Sequence, residues 1–317
     1  MRILFVGSGD FAEPTLHFLC EEHDVVAVVT KPARRAGRGQ SVRPTPVRQL
    51  AAEYDLAIIE AENINEPATV SQLAGLNADL GIVIAFGQKI GPTLLAAVPA
   101  GFVNLHASLL PRYRGAAPYQ WTVINGDEKA GVTVFRLTAG MDAGPILTQR
   151  WTYVRPQETA CELHDRLARI GPDAVRAALD LYADGPIPEG QPQDPAQVTR
   201  APKLRKADGW IDFTRPAAVL GHFVCGMWSW PGAVCTFESA DGSRREQVTL
   251  ARARMGDAMA AGLDPGVLDV RLFAATGDGW LEILEIKPAA GRRMTWQEFV
   301  NGRHVRPGDR FVRVESA

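Results

Sequence analysis

Asn104 and His106 stand two positions apart in the run Gly101-Phe102-Val103-Asn104-Leu105-His106, so a strand here carries an amide and an imidazole on one face, with Val103 and Leu105 on the other. A carboxylate, Asp142, follows the next apolar run and lies between Gly140 and Gly144. A hydrogen-bond-donating amide, a ring that titrates near neutrality and a carboxylate that favours the charged ring together suit proton transfer at a reacting group. Singly, each residue has a plainer role: His106 bonded to backbone, Asp142 turning the chain between two glycines. A hydrolase triad of Ser108, His106 and Asp142 is disfavoured, because there is no G-x-S-x-G elbow and Ser108 lies two residues past its base on one strand end. The 6 histidines are scattered without ligand spacing, so no metal is expected.

Such groups need elements that carry them to a crevice. Ile3 to Val6 is an apolar run ending in Gly7-Ser8-Gly9, followed by helical spacing through Leu16, Phe18 and Leu19 and a second apolar run, Val25 to Val29. That is a β-α-β opening. Strand-like runs at Ala57 to Ile59, Leu80 to Ile84, Phe102 to Leu105 and Val132 to Leu137 then alternate with helical stretches at Pro46 to Tyr54, Ala68 to Leu73 and Tyr119 to Ile124. The alternation predicts an α/β, Rossmann-like unit with a mainly parallel sheet and helices on both faces. Ligands of such sheets bind beyond the carboxyl ends of the strands, where His106 is expected.

Thr159-Ala160-Cys161-Glu162 is a capping box opening a long helix through Leu163, Leu167, Ile170, Val175 and Leu179, which closes a first domain at 1–185. Gly185 to Lys203 holds five prolines and little apolar periodicity, so 186–205 reads as an extended linker. In 206–317 a helical piece, Ala217 to Met227, precedes strand-like runs at Ala233 to Phe237, Gln247 to Ala251, Gly266 to Asp269, Arg271 to Ala274 and Leu281 to Lys287, and a helix at Thr295 to Asn301. Short strands joined by glycine-rich turns predict a C-terminal OB-like β-barrel domain.

With 317 residues, 46% hydrophobic, the chain has material for two domains, and a formal charge of −2 excludes a protein that coats nucleic acid over its whole surface. Any RNA contact must come from a local basic patch. Cys20, Cys161, Cys225 and Cys235 sit apart among apolar neighbours, as buried thiols of a reducing compartment do. No stretch approaches membrane-spanning length, and the N-terminal apolar run is too short for a signal peptide, so a soluble, cytoplasmic protein is expected.

Directly after His106 comes Ser108-Leu109-Leu110-Pro111-Arg112-Tyr113-Arg114-Gly115-Ala116-Ala117-Pro118-Tyr119-Gln120, and Ala139-Gly140-Met141-Asp142-Ala143-Gly144 follows the next strand. With these two segments in order the chain resembles the folate-dependent formyltransferases, whose pattern is Asn-x-His-x-Ser-Leu-Leu-Pro with a later Gly-x-Asp-x-Gly. Within that superfamily Arg114 to Gln120 is most similar to the methionyl-tRNA formyltransferases, and the linker and second domain fit theirs. The glycinamide ribonucleotide formyltransferases end after the first domain. The resemblance covers nearly the whole chain, strongly through Trp151 and weakly beyond.

The resemblance implies transfer of the formyl group of 10-formyltetrahydrofolate to the α-amine of initiator Met-tRNA through a tetrahedral intermediate, with tetrahydrofolate released. It implies that the Asn104 amide donates to the developing oxyanion, a task worth about 3 kcal/mol for a fixed donor. His106 would be the second donor, as imidazolium, while Asp142 would favour that charged form and pass the proton through water from amine to departing folate. Ser108, Leu109, Leu110 and Pro111 resemble the family's folate-binding loop. Ala85, Phe86 and Gly87 are candidates for backbone contacts to the pterin ring, with Phe86 standing where the family often has tyrosine; core packing is the alternative for Phe86.

Lys31 to Arg43 contains five basic residues, no acid and two glycines, and follows the second strand. Self-repulsion disfavours a packed loop, and its place at the sheet's carboxyl edge suits phosphate contact. The family carries a glycine-flanked arginine here for the acceptor stem, which makes Arg38 the leading RNA contact; Lys31, Arg34, Arg35 and Arg43 are secondary. By the same resemblance Lys203, Arg205, Lys206, Arg292, Arg293, Arg303 and Arg306 would form a positive channel on the second domain. A monomer suffices for this scheme. Two alternatives stay open: a sugar-nucleotide N-formyltransferase, and an NADP-binding oxidoreductase suggested by the relaxed G-x-G-x-x-A at Gly7 to Ala12 with Lys31 after the second strand.

Overall fold

The computed structural model describes residues 1–36, 41–183, 185, 188–256 and 262–314. Contacts divide the chain into two compact units: Met1–Pro118 with Ala130–Thr152 and His164–Pro202, and Tyr119–Lys129 with Tyr153–Leu163 and Lys203–Ala317. The opening strands β1 (Arg2–Gly7) and β2 (Asp24–Thr30) flank helix α1 (Glu13–Glu22), as the apolar runs predict. A ribbon, β3 (Arg34–Ala36) with β4 (Ser41–Arg43), precedes α2 (Pro46–Glu53), β5 (Ile58–Glu60), α3 (Pro67–Ala74), β6 (Leu80–Ile84), α4 (Pro92–Ala97) and β7 (Phe102–His106). Then follow β8 (Arg114–Gly115), α5 (Pro118–Ile124), β9 (Lys129–Arg136), β10 (Ile146–Tyr153), α6 (Ala160–Asp180) and β11 (Arg200–Ala201). The capping box forms: the Thr159 N–H donates to Glu162 Oε2 at 2.9 Å and the Glu162 N–H to Thr159 Oγ1 at 3.3 Å.

The main sheet runs β10-β9-β7-β6-β1-β2-β5. Its middle is parallel: β1 pairs with β2 and β6, β2 with β5, and β6 with β7, while β9 lies antiparallel to β7. β6 is buried along its whole length and β1 from Ile3 onward, which explains why both read as unbroken apolar runs. The chain builds outward from β1 through β2 to β5, then returns to the other side of β1 with β6. In sheets of this kind ligands bind where the strand order reverses, here beyond the carboxyl ends of β1 and β6. There the Gly9 N–H donates to the Ala85 carbonyl at 3.3 Å.

In the second unit α7 (Ala217–Met227) precedes β12 (Ala233–Glu238), β13 (Arg245–Met255), β14 (Ala274–Ala275), β15 (Trp280–Pro288), β16 (Met294–Thr295), α8 (Trp296–Arg303) and β17 (Arg310–Val312). The sheet order is β14-β15-β13-β12-β17, with β16 on β15. Residues 266–268 join its two ends, since the Ala275 N–H donates to the Val267 carbonyl and the Phe311 N–H to the Gly266 carbonyl, both at 2.8 Å. The result is the small antiparallel barrel that the glycine-punctuated strands predict. Gly266 is required at this seam: it has φ 92°, and a side chain would run into the Phe311 carbonyl. Phe213 and Phe311 stack at 5.8 Å inside it, and Phe237 meets Phe299 edge-on at 5.4 Å.

One expected strand is a turn instead. Arg271 to Leu272 bend, because the Asp269 carboxylate accepts the N–H groups of Arg271 and Phe273, each at 2.9 Å, and only Ala274 and Ala275 join the sheet. Among the described residues no helix is long and apolar enough to cross a membrane.

Candidate active site

β7 ends as the sequence predicts. Asn104 lies level with Val83 on β6 and Phe135 on β9, and His106 lies opposite Thr133. The His106 ring is only 7% exposed, meets Phe135 edge-on at 6.4 Å, and has Nε2 2.9 Å from the Tyr113 carbonyl oxygen. A carbonyl only accepts, so Nε2 carries a hydrogen and Nδ1 is the ring atom left to face other chemistry. Asn104 is half-buried, and its amide makes no hydrogen bond to the described residues.

Asp142 sits between β9 and β10 at φ 49°, and its Oδ2 accepts the Gly115 N–H at 2.8 Å. Gly144 is what lets this turn close, because any side chain there would strike the Arg136 backbone. His106 and Asp142 therefore grip the carbonyl of residue 113 and the amide of residue 115, on either side of Arg114. The two predicted chemical groups thus bind residues 113 and 115 of one segment, although 36 positions separate them in the chain.

The loop from Ser108 to Pro111 is held from beneath. Thr133 Oγ1 donates to the Ser108 carbonyl at 2.7 Å, accepts the Leu110 N–H at 3.1 Å and accepts from Gln149 Nε2 at 2.9 Å. Gln149 also donates to the Leu110 carbonyl at 2.9 Å. The Ser108 hydroxyl is engaged within the loop, donating to the Arg112 carbonyl at 2.7 Å, while Leu109 and Pro111 are half-buried. At the neighbouring turn Ala85 (φ 48°) and Gly87 (φ 73°) are exposed backbone, whereas Phe86 is a core residue, 2% exposed among Val83, Ile90 and Leu94. Lys31 lies beside that turn, its Nζ 5.9 Å from the centre of the Phe86 ring.

Arg34 to Ala36 of the basic segment pair antiparallel with Ser41 to Arg43, and Gly37, Arg38, Gly39 and Gln40 lie outside the described residues. Arg34 and Arg43 stand opposite each other, like charges across a strand pair. Arg34 is relieved by Glu62 at 2.8 Å, while Arg43 Nε donates to Ser41 Oγ at 3.2 Å; Arg35 lies opposite Val42. In the second unit Arg303 binds Glu246 at 2.6 Å and Arg293 is 3.6 Å from Glu285. Lys203, Arg205, Lys206, Arg292 and Arg306 are exposed.

Sequence reading did not single out Gln193 and Thr199, which lie in the segment expected to be a linker. That segment is extended, but it is bound along the first unit. The Gln191 backbone exchanges hydrogen bonds with Ile146 at 2.7 and 2.8 Å, and β11 pairs in parallel with β8. Thr199 accepts the Tyr113 N–H on its hydroxyl at 2.8 Å and the Arg114 N–H on its carbonyl at 2.9 Å. Gln193 reaches both the Asp142 turn and Arg114. A lone polar residue amid prolines carries no local signal of this.

Residues 1–179 match the formyl transferase family and residues 203–304 match the formyl transferase C-terminal domain. The methionyl-tRNA formyltransferase of Solibacter usitatus is 38% identical over 314 residues, covering 98% of both chains, and that of Halorhodospira halophila is 41% identical over 311 residues, covering 97% of this chain and 98% of its own. The chain belongs to the methionyl-tRNA formyltransferase family. Formyl transfer is thus its reaction class, and Asn104, His106, Ser108 to Pro111 and Asp142 all fall inside the formyl transferase match. The N-formyltransferase from Helicobacter canadensis, solved with folinic acid and dTDP-3-aminofucose, shares the fold with a TM-score of 0.64 at 14% identity, covering 93% of this chain and 100% of its own. In this formyltransferase residues 180–202, which include Gln193, lie in neither family match.

Proposed function

We propose that this formyltransferase moves the formyl group of 10-formyltetrahydrofolate to the α-amine of initiator methionyl-tRNA. The observation that carries the chemistry is the pair of hydrogen bonds fixing His106 and Asp142 to the two sides of Arg114, with the Asn104 amide two residues back on the same strand face. The neutral amine attacks the formyl carbon, and the carbonyl oxygen gathers negative charge against the Asn104 amide and the ring of His106. Because the Nε2 hydrogen of His106 is spent on Tyr113, Nδ1 donates to that oxygen in the imidazolium form, in which both ring nitrogens carry hydrogens. As the intermediate collapses, the bond from the formyl carbon to the folate nitrogen breaks, and the amine's proton passes by way of the Asp142 carboxylate and water to that nitrogen. The products are the N-formylated aminoacyl-tRNA and tetrahydrofolate.

The folate is assigned to the Ser108 to Pro111 loop and to the exposed backbone of Ala85 and Gly87 at the carboxyl edge of the sheet, since Phe86 and the Ser108 hydroxyl are otherwise engaged. No residue is required to hold a metal. The tRNA is assigned to the ribbon, with Arg38 leading and Lys31, Arg34, Arg35 and Arg43 in support, and to the barrel of residues 206–317. Full-length relatives at 38–41% identity that carry the methionyl-tRNA name favour this acceptor over an amino-sugar nucleotide. The test offers 10-formyltetrahydrofolate with Met-tRNA and with dTDP-amino sugars in parallel. Formylation of Met-tRNA is expected; formylation of the sugar alone would overturn the assignment.

A further inference from the structure

We propose that Gln193 is a positioning residue for formyl transfer, holding the Asp142 turn and Arg114 in register so that the Asp142 carboxylate meets β8. The proposal rests on the catalytic reading of Asp142. Both amide hydrogens of Gln193 are used, Nε2 donating to the carbonyls of Asp142 and Gly144, each at 2.8 Å. Its oxygen accepts from Nε of Arg114 at 3.0 Å and from Nη2 at 2.7 Å, the second being short as charge-assisted bonds are. The four hydrogen-bonding valences of the side chain are thereby filled. Turning the amide over would set NH2 against guanidinium and oxygen against two carbonyls, so the network admits one orientation.

The consequence is geometric. Asp142 and Gly115 share the 2.8 Å hydrogen bond that places the carboxylate, and they come from different segments. Gln193 holds the backbone of the first and the immediate neighbour of the second. The segment bearing Gln193 is itself pinned on both sides, at Gln191 by Ile146 and at Ala201 by the N–H groups of Ala116 and Ala117 at 2.9 and 3.2 Å. A half-buried side chain so fixed transmits its position to the reacting group, and misplacement by about 1 Å can cost on the order of 100-fold in rate.

The experiment uses the full chain with 10-formyltetrahydrofolate and Met-tRNA, comparing wild type, Gln193→Ala, Gln193→Glu, Asp142→Asn and the double variant Gln193→Ala/Asp142→Asn. Gln193→Glu keeps the shape and the acceptor for Arg114 but removes both donors to the turn. Expected is a fall in kcat of about 10- to 100-fold for either Gln193 variant, with KM for both substrates little changed and the thermal midpoint near wild type. In the Asp142→Asn background the same Gln193→Ala change should cost less than about threefold, since the carboxylate it positions is gone. Should Gln193→Ala fail to fold, Gln193→Glu supplies the comparison in both backgrounds. A slow Asp142→Asn alongside a Gln193 variant of normal kcat overturns the positioning role alone, as does an equal loss in both backgrounds. Near-normal turnover in Asp142→Asn overturns the catalytic reading and this proposal with it.

Discussion

At the scale of single residues, the site depends on where small and polar groups leave room. The Asn104 amide has no protein partner among the described residues and faces the same way as His106, whose one committed nitrogen fixes the ring. Replacing Asn104 with alanine removes the proposed oxyanion donor without unpairing any protein group. A loss of about 100- to 1,000-fold in kcat with unchanged stability is expected, read from steady-state kinetics and a thermal melt; a kcat within severalfold of wild type would remove Asn104 from the mechanism. Gly144→Ala should behave differently. Its new methyl meets the Arg136 backbone, which cannot swing away as a side chain can, so the turn bearing Asp142 must move. Both kcat and the melting temperature are expected to fall, the latter by about 2–4 °C for each kcal/mol of strain.

At the scale of elements, α6 is tied to the loop after β1 by charge. His164, with a side chain 14% exposed, has Nε2 3.4 Å from Asp10 and Nδ1 2.9 Å from Asp165. Burial alone would push the imidazole down, but the hydrogen bonds and charges of Asp10 and Asp165 outweigh it and hold His164 above its ordinary value. The His164 hydrogen bond holds the Asp10 carboxyl below the usual range. A histidine raised by folding contributes stability that is complete below its unfolded value of about 6.5 and fades as pH rises through the higher folded value. His164→Ala should therefore cost more at pH 5.5 than at pH 9, by about 1 kcal/mol at most because Asp10 is largely exposed. Equal melting-temperature losses at both pH values would show packing against Phe11 to be the whole effect. Elements with strong periodicity were legible: the strands around β1, the capped start of α6 and the Asn-x-His strand end. β10 was not, because Ile146–Tyr153 mixes Thr148, Gln149, Arg150 and Thr152 with Trp151 and Tyr153 that remain exposed, so neither period stands out. Six-residue α4 is too short for helical periodicity to register. Arg271 to Ala274 misled through β-forming neighbours, where a single Asp269 carboxylate decides for a turn. Gln193 was invisible for a further reason: its meaning lies in partners about 50 and 79 positions away, which local pattern cannot register.

At the scale of the molecule, 34 basic and 36 acidic residues nearly cancel, so attraction for a polyanion depends on which cations are already engaged. In the second unit many are: Arg252 with Glu162 and Glu285, Arg254 with Glu282, Arg303 with Glu246 and Arg310 with Glu238. These pairs lend the barrel surface definition, and a guanidinium bound to a carboxylate has less to offer a phosphate. Lys203, Lys206 and Arg292 have no ion pair among the described residues and stand exposed. If the barrel holds the tRNA, the two classes must respond differently to salt. Measured as the slope of log affinity against log salt, binding of Met-tRNA should lose about one unit of slope in Lys206→Ala, weakening at low salt with folding intact. Arg303→Ala should leave the slope alone and lower the melting temperature by a few degrees, since it leaves half-buried Glu246 only its 3.8 Å contact with Arg244. An unchanged slope in Lys203→Ala, Lys206→Ala and Arg292→Ala alike would remove these three cations of the barrel unit from the RNA contact, because counterion release counts phosphates neutralised and none would then be neutralised by them.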